Sequence, residues 1–403
     1  MITEHPMSQQ ERRTVSSLAL LYSFRMLGLF MVLPLLALYA EGLEGVSPTA
    51  IGLALGIYGL SQALLQIPLG WLSDRIGRKP VIIGGLLVFA LGSGLAAMAD
   101  DIYGIIAGRA LQGAGAIAST VMALAADLTR NEQRTKAMAV IGMSIGMSFA
   151  LALILGPVLA TAGGLSLVFW FTSVLALGGI LIVVALVPTP PRGMQHDEVG
   201  LRGALLARSL ANTHLLRLNF GVFCLHFVLM ACFLVVPQLL RDVAGLGRDS
   251  HWQVYLPALV LSLLGMVPLM ILAERKGRLR EVFLVAITLV VGALGLMAST
   301  PAPLAIYLGL WVFFIGFNYL EATLPSLVSK AVFPGGKGTA LGVFSTCQFL
   351  GAFAGGAAGG WLLQTGGQSA LFAACVALGG LWWMLSLPGF ASVNLAASAP
   401  ARD

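Results

Sequence analysis

Apolar runs of near-uniform length, separated by short polar stretches, make up almost the whole chain. A membrane helix needs roughly 20 consecutive apolar residues, and counting runs of that size predicts twelve. The first six fall at about 17–40, 50–72, 81–99, 102–125, 137–163 and 166–187. The second six fall at about 214–240, 252–273, 282–299, 304–328, 338–363 and 369–387. The longest connection, 188–213, opens with Pro188, Pro190 and Pro191, which bar helix continuation. It divides an all-α membrane protein into bundles of six, 1–187 and 214–387, with a short tail 388–403. Leu201–Leu216, with Arg202 and Arg208 and followed by Arg217, reads either as a basic amphipathic helix on the inner leaflet or as an ordinary linker.

Composition agrees with the pattern. Hydrophobic residues make up 58% and charged residues 10% of 403, which no soluble domain carries. The net charge of +6 is dispersed among short loops, so nucleic-acid binding is a poor reading and the positive-inside rule a good one. An inside N-terminus puts nineteen Lys and Arg residues on the cytoplasmic side and two, Arg241 and Arg248, on the outer side. Glu41, Glu44, Asp100 and Asp101 then face outward, and both termini lie in the cytoplasm. Cys224, Cys232, Cys347 and Cys375 sit in apolar runs without metal spacing and read as packed hydrophobes. The polar start leads into a run too long for a cleaved signal, so the first helix is itself the targeting signal.

The loop Gly70-Trp-Leu-Ser-Asp-Arg-Ile-Gly-Arg-Lys79 joins the second and third spans. Gly70 allows close helix approach, and Gly77 permits a sharp turn. Arg75, Arg78 and Lys79 follow a helix C-terminus, where the dipole favours cations; Asp74 has the opposite preference. The string resembles the signature loop of the major facilitator superfamily. That resemblance implies that Asp74 addresses the N-terminus of the eleventh helix, that Asp127 pairs with Arg78, and that the loop latches the cytoplasmic side. A shorter copy, Glu274-Arg-Lys-Gly-Arg278, stands between the eighth and ninth spans. Its Glu274, Arg275, Gly277 and Arg278 read as a weaker second latch, and its position as the trace of a duplicated six-helix unit.

Arg109-Ala-Leu-Gln112-Gly113-Ala-Gly115 resembles a second signature of the family. The fifth span carries Gly142, Gly146, Gly156 and Pro157, a partial match to the motif of the drug:proton antiporter subgroup; packing through small residues explains these glycines equally well. The same packing reading covers Gly351, Gly355, Gly356, Gly359 and Gly360. The strings Phe24–Pro34, Ala125–Arg130 and Phe317–Ser326 resemble one branch of inner-membrane transporters. Members of that branch commonly continue into a small ferredoxin-like domain. This chain stops at Asp403 after an Ala/Ser/Pro tail, and is expected to lack it.

Polar residues inside apolar spans are costly unless they face protein or water. Arg25 is in span one, Arg109 and Gln112 in span four, His226 in span seven, Asn318 and Glu321 in span ten. The periodicity suggests one shared cavity, where the resembled fold places these four spans. For the arginines, snorkelling to a membrane face is the competing reading; for His226, simple packing. Glu321 is the acid expected to be buried there, with a carboxyl that titrates near neutral pH. Together these imply a secondary transporter working by alternating access, functional as a monomer in a bacterial-type inner membrane. Its partners are protons, the lipid bilayer and a small-molecule substrate. By resemblance it performs proton-coupled efflux of small hydrophobic or cationic compounds; a proton-coupled importer or symporter of a small metabolite is the alternative. No phosphate-binding loop, His-Glu-x-x-His or nucleophile–base pair appears, so neither a primary pump nor an enzyme is expected, and no metal or cofactor.

Overall fold

The computed structural model describes residues 6–188, 199–300, 302–332 and 336–387. Pro190, Pro191, Arg192, His196 and the tail 388–403 lie outside the described residues. The elements are α1 (Gln9–Tyr39), α2 (Pro48–Ile76), α3 (Arg78–Ala97), α4 (Ile102–Ala114), α5 (Ala118–Asp127), α6 (Asn131–Ala185), α7 (Val199–Ala211), α8 (Thr213–Asp242), α9 (Trp252–Arg275), α10 (Leu279–Ser299), α11 (Pro303–Ala331) and α12 (Lys337–Ser386).

The helices begin where short polar side chains can take up free N–H groups. Ser8 and Glu11 form a reciprocal capping box on α1. Ser47, with Pro48 in the first turn, starts α2; Asp101 starts α4 and Asn212 starts α8. Among the described residues ten stretches are long and apolar enough to cross a membrane, with α4 and α5 forming one of them.

Two helices are far too long for one crossing. α6 has 55 residues and α12 has 50, roughly 83 Å and 75 Å if straight against a hydrocarbon core of ~30 Å. Neither is continuous. α6 breaks at Gly163 and Gly164 (φ 66°), and α12 breaks at Gly367 (φ 69°). A positive φ is a backbone that glycine tolerates and other residues resist. Both breaks fall where the hydropathy pattern separates two spans. The fourth predicted span is interrupted too: α4 stops at Ala114, and Gly115 (φ −72°, ψ 47°) leaves the helix before α5 begins. Of the stretch 201–216, residues up to Ala211 are helical within α7, while Asn212 caps α8 and the residues from Thr213 onward belong to that next helix.

α1 packs along α6, while α12 lies between α2 and α8. The α2–α12 seam is backbone against backbone. A Cβ on Gly52 would stand 2.2 Å from the Gly356 carbonyl oxygen, and one on Gly360 would stand 2.4 Å from that of Pro48. Gly351 and Gly355 meet the backbone of Phe223 and Phe227 on α8 as closely, so the packing reading holds for that glycine run. The seam reaches as far as Gln66, whose Nε2 donates to Thr346 Oγ1 at 2.8 Å.

Beyond that bond the helices diverge. Trp71, Leu72 and Ile76 on α2 are exposed, and Cβ atoms on Gly338 or Gly342 of α12 would have no neighbour within 4 Å. The α1–α6 and α8–α12 portions are thus joined at the end carrying Glu41 and parted at the end carrying Asp74. Gly142 and Gly146 of α6 likewise meet nothing within 4 Å, so packing does not account for them in this arrangement.

Candidate functional site

The predicted residues assemble into three groups. At the Asp74 end, Gly77 (φ 100°) forms the whole turn between α2 and α3. Arg75 sits in the last turn of α2, but Arg78 and Lys79 open α3. This corrects the expectation that all three follow a helix C-terminus, because a one-residue turn puts the second pair at the N-terminus of the next helix. A cation there opposes the helix dipole, and the neighbouring acids offset it. Arg78 forms an ion pair with Asp74. Its Nε donates to Asp127 Oδ2 at 3.1 Å and its Nη1 to Ser73 Oγ at 2.7 Å. Gly70 does not mediate a close approach here, since a Cβ would meet only Ser119 Oγ at 3.4 Å; its carbonyl accepts from Ser73 Oγ at 2.7 Å.

The second-half loop repeats the turn without the pairing. Gly277 has φ 66°, but Glu274, Arg275 and Arg278 are all exposed. Among the described residues no ion pair joins Glu274 to Arg278.

The second group is buried between α1, α2 and α4. Arg25 and Arg109 are each 1% exposed. Arg25 Nη2 donates to Gln62 Oε1 at 2.7 Å and Tyr58 Oη at 2.9 Å. Arg109 donates from Nε to the Ala54 carbonyl at 3.2 Å and from Nη1 to Gln112 Oε1 at 3.0 Å. Gln112 Nε2 donates on to Ser93 Oγ at 2.8 Å. The Arg109 guanidinium lies 5.0 Å from the Tyr58 ring centroid, a cation–π contact. Neither arginine snorkels, because both heads are fixed inside the protein. Tyr58 and Gln62, which hold Arg25, were not singled out in the sequence: both lie on α2, and an apolar run with a lone Tyr or Gln gives no signal of its own.

The third group lies on α8, α11 and α12. Gln348 Nε2 sits 2.8 Å from His226 Nε2 and 3.3 Å from Glu321 Oε1, and His226 Nε2 is 3.7 Å from Glu321 Oε2. His226 Nδ1 is 3.1 Å from the Val222 carbonyl oxygen. A carbonyl accepts only, so Nδ1 carries a proton and Nε2 of the neutral ring accepts from the Gln348 amide. Asn318 donates to Ser262 Oγ at 2.8 Å, one turn from Glu321. The expectation that Glu321 is buried does not hold: its side chain is 42% exposed, because the helices around it part toward the Asp74 end. Nor do the arginines share its surroundings. Among the described residues no hydrogen bond or ion pair links Arg25 or Arg109 to His226 or Glu321, since the guanidinium groups are already held by α2 and Gln112. Gln348, which bridges His226 and Glu321, also escaped the sequence pattern.

A layer of rings covers this third group on the Glu41 side. Phe149 of α6 stands 5.1 Å from Phe30 of α1, 6.4 Å from Phe233 of α8 and 6.3 Å from Phe314 of α11, centroid to centroid. Phe317 stacks on Phe313 at 5.8 Å. The result is a half-open acidic and imidazole-bearing site with an aromatic ceiling.

Comparison with known proteins agrees with this architecture. Residues 18–356 match the family model of the Major Facilitator Superfamily. The inner membrane transport protein YajR of Escherichia coli (strain K12) is 46% identical over 382 residues, spanning 94% of this chain and 84% of YajR. The multidrug resistance protein MdtH of Aeromonas salmonicida (strain A449) is 27% identical, spanning 83% and 84% respectively. Among solved structures, a bacterial homologue of the human lysosomal transporter Spinster, inward-facing and unoccupied, superposes with a TM-score of 0.77 at 15% identity, covering 98% of this chain and all of that one. The human organic anion transporter MFSD10 superposes with a TM-score of 0.69 at 22% identity over 94% of this chain. The chain is a multi-pass membrane transporter and belongs to the Major Facilitator Superfamily.

Proposed function

We propose that this protein exports small, largely apolar or cationic compounds in exchange for protons, by alternating access. In this reading the chain makes twelve crossings in two six-helix units, 1–187 and 214–387, with 188–213 linking them. The strong Lys and Arg bias puts the Asp74 end in the cytoplasm, and the arrangement described is then the form open to the cytoplasm. The multidrug name carried by MdtH supports the substrate class.

The observation that carries the proposal is the His226–Gln348–Glu321 group beneath the aromatic layer. A half-exposed carboxylate beside phenylalanine faces suits an organic cation, through charge and through cation–π contact. A proton and a cationic substrate then compete for the same carboxylate, which is the minimal requirement for exchange. His226 tunes that competition. Its neutral Nε2 accepts from Gln348; protonated, it becomes a donor, loses the amide bond and attracts Glu321 across the 3.7 Å gap. A pH unit across the membrane is worth about 1.4 kcal/mol, and 100 mV about 2.3 kcal/mol per charge, enough to drive useful accumulation.

The test is transport in inverted vesicles with and without a proton gradient. Glu321→Gln is expected to abolish gradient-driven accumulation while substrate exchange persists. A correctly inserted variant that still accumulates substrate with normal pH dependence would remove Glu321 from the proton path.

A further inference from the structure

The Glu41 end carries a charge cluster that the transport site does not use. Glu41, in the turn after α1, accepts from Arg241 at the end of α8 and from Arg248 Nη2, at 2.6 Å, in the α8–α9 connection. The Arg248 guanidinium also lies 5.7 Å from the Tyr39 ring centroid, and the Thr49 N–H donates to Gln364 Oε1 at 3.2 Å. Each of these contacts joins the N-terminal half of the chain to the C-terminal half. Arg241 and Arg248 are also the two cations that depart from the charge bias of the sequence, and both converge on one carboxylate.

Behind the cluster sits His251, the residue before α9, 3% exposed. It lines a small void with Pro34, Leu35 and Leu38 of α1 and Leu153 and Pro157 of α6. Its burial therefore depends on the two halves staying together. The α1 and α6 side chains facing it are apolar. From its own side it meets the Leu246 carbonyl at 3.4 Å and the Tyr255 ring. The charged groups of the surrounding elements are Arg241 and Asp242 on α8, Arg248 and Asp249 in the connection, and Glu41 after α1.

We propose that this cluster is a pH-sensitive lock on the Glu41 end. Neutral His251 and ionised Glu41 hold the halves together, and a proton on His251 releases them. Burial holds the imidazole below its ordinary value, with Arg241 acting in the same direction and the Leu246 carbonyl and Asp249 against it. A charged ring here adds a third cation beside two arginines that both pair with Glu41, Arg241 also pairing with Asp242 at 2.7 Å. Once the halves part, His251 meets water and its proton affinity rises back toward that of an ordinary imidazole. The closed arrangement binds the proton less well, so it is favoured while the exposed ring would be neutral and gives way as pH falls and the exposed ring takes up a proton. If protons enter from the Glu41 side, as the transport proposal holds, the lock opens toward its proton source; the switch itself does not rest on that reading.

The test uses purified protein in nanodiscs without substrate or gradient. Spin labels at Asp100 and Ala302, on opposite halves at this end, report the separation by pulsed electron resonance between pH 8 and pH 5.5. The wild type is expected to move from a short to a longer distance as pH falls. His251→Gln should hold the short distance throughout, and Glu41→Gln and Arg248→Gln should each raise the long-distance fraction already at pH 8, by up to roughly fivefold for each ion pair lost. Glu321→Gln should keep the wild-type response, which separates this lock from the transport site. A full acid shift in His251→Gln, its loss in Glu321→Gln, or unchanged distances in both Glu41→Gln and Arg248→Gln would each overturn the proposal.

Discussion

Replacing Gly356 with alanine tests what closes the Glu41 end. The added Cβ would stand 2.5 Å from the Gly52 carbonyl oxygen and 2.8 Å from Gly56 N. Both atoms are backbone, so no side chain can swing aside. Reaching an ordinary contact near 3.4 Å means moving α2 and α12 apart by roughly 1 Å, and overpacking of this kind costs about 1–3 kcal/mol. Alanine's higher helix propensity, up to about 1 kcal/mol, stabilises both arrangements alike and cancels between them. The cost of about 1–3 kcal/mol falls on the joined arrangement alone, because the seam is made only there. The ratio of closed to open at the Glu41 end should drop by roughly 5- to 150-fold. The assay is labelling of single cysteines at that end with a membrane-impermeant maleimide. Gly342→Ala, on the same helix with nothing within 4 Å, is the control and should be neutral or slightly stabilising. Equal labelling in wild type, Gly356→Ala and Gly342→Ala would show that the glycine seam does not hold this end shut.

Further expectations concern the other charged groups. Asp74→Asn removes an acid from Arg78, whose pairing the second-half loop lacks. It should increase cysteine labelling at Gly338 and reduce transport more than Glu274→Gln does; the reverse order would show that the second loop is the stronger latch. Arg109→Leu leaves Gln112 Oε1 without its donor and removes the second donor of the Ala54 carbonyl, which keeps its helical bond, at about 1–3 kcal/mol for the unsatisfied amide oxygen; a melting temperature in detergent equal to wild type would contradict this. Glu11 accepts from Ser8 N, Arg130 N and the Arg130 guanidinium at 2.8–3.0 Å, tying the start of α1 to the connection before α6. Glu11→Ala should lower the melting temperature, and no change would show that the tie is structurally idle.

The helical architecture was legible because bilayer thickness dictates the length of every apolar run, and because glycine marks the breaks inside α6 and α12. The signature loop was legible for a related reason: charges at a membrane surface are rare enough to stand out, and Arg78 does meet Asp74 and Asp127. What the pattern could not give is partnership. Arg25, Arg109, His226 and Glu321 fall on every third span, which favours one shared cavity, yet the arginines are held by Tyr58 and Gln62 on α2 and by Gln112. Neutral polar residues carry no charge bias and little hydropathy contrast, so neither they nor Gln348 announces itself. Exposure of Glu321 was equally out of reach, since it depends on where the helices part rather than on the composition of span ten.

Two kinds of contact close the Glu41 end, and their magnitudes assign them different work. The ion pairs of Glu41 with Arg241 and Arg248 are between one-third and two-fifths exposed, and exposed pairs contribute about 0.2–1 kcal/mol each. The α2–α12 seam buries backbone against backbone along the run from Pro48 to Gln66, so it supplies most of the closure. The charges decide how that closure responds to solution conditions. Raising ionic strength from 0.15 M to 1 M shortens the screening length from about 8 Å to about 3 Å, which weakens the ion pairs and leaves the seam intact. Salt should therefore open the wild type by no more than roughly fivefold per pair, with the same labelling assay as readout. Glu41→Gln should already be open to that extent and insensitive to added salt. Gly356→Ala should be more open than wild type at both ionic strengths yet still respond to salt, because its ion pairs remain. If salt opened Glu41→Gln as much as the wild type, the charge cluster would not be the salt-sensitive part of the closure.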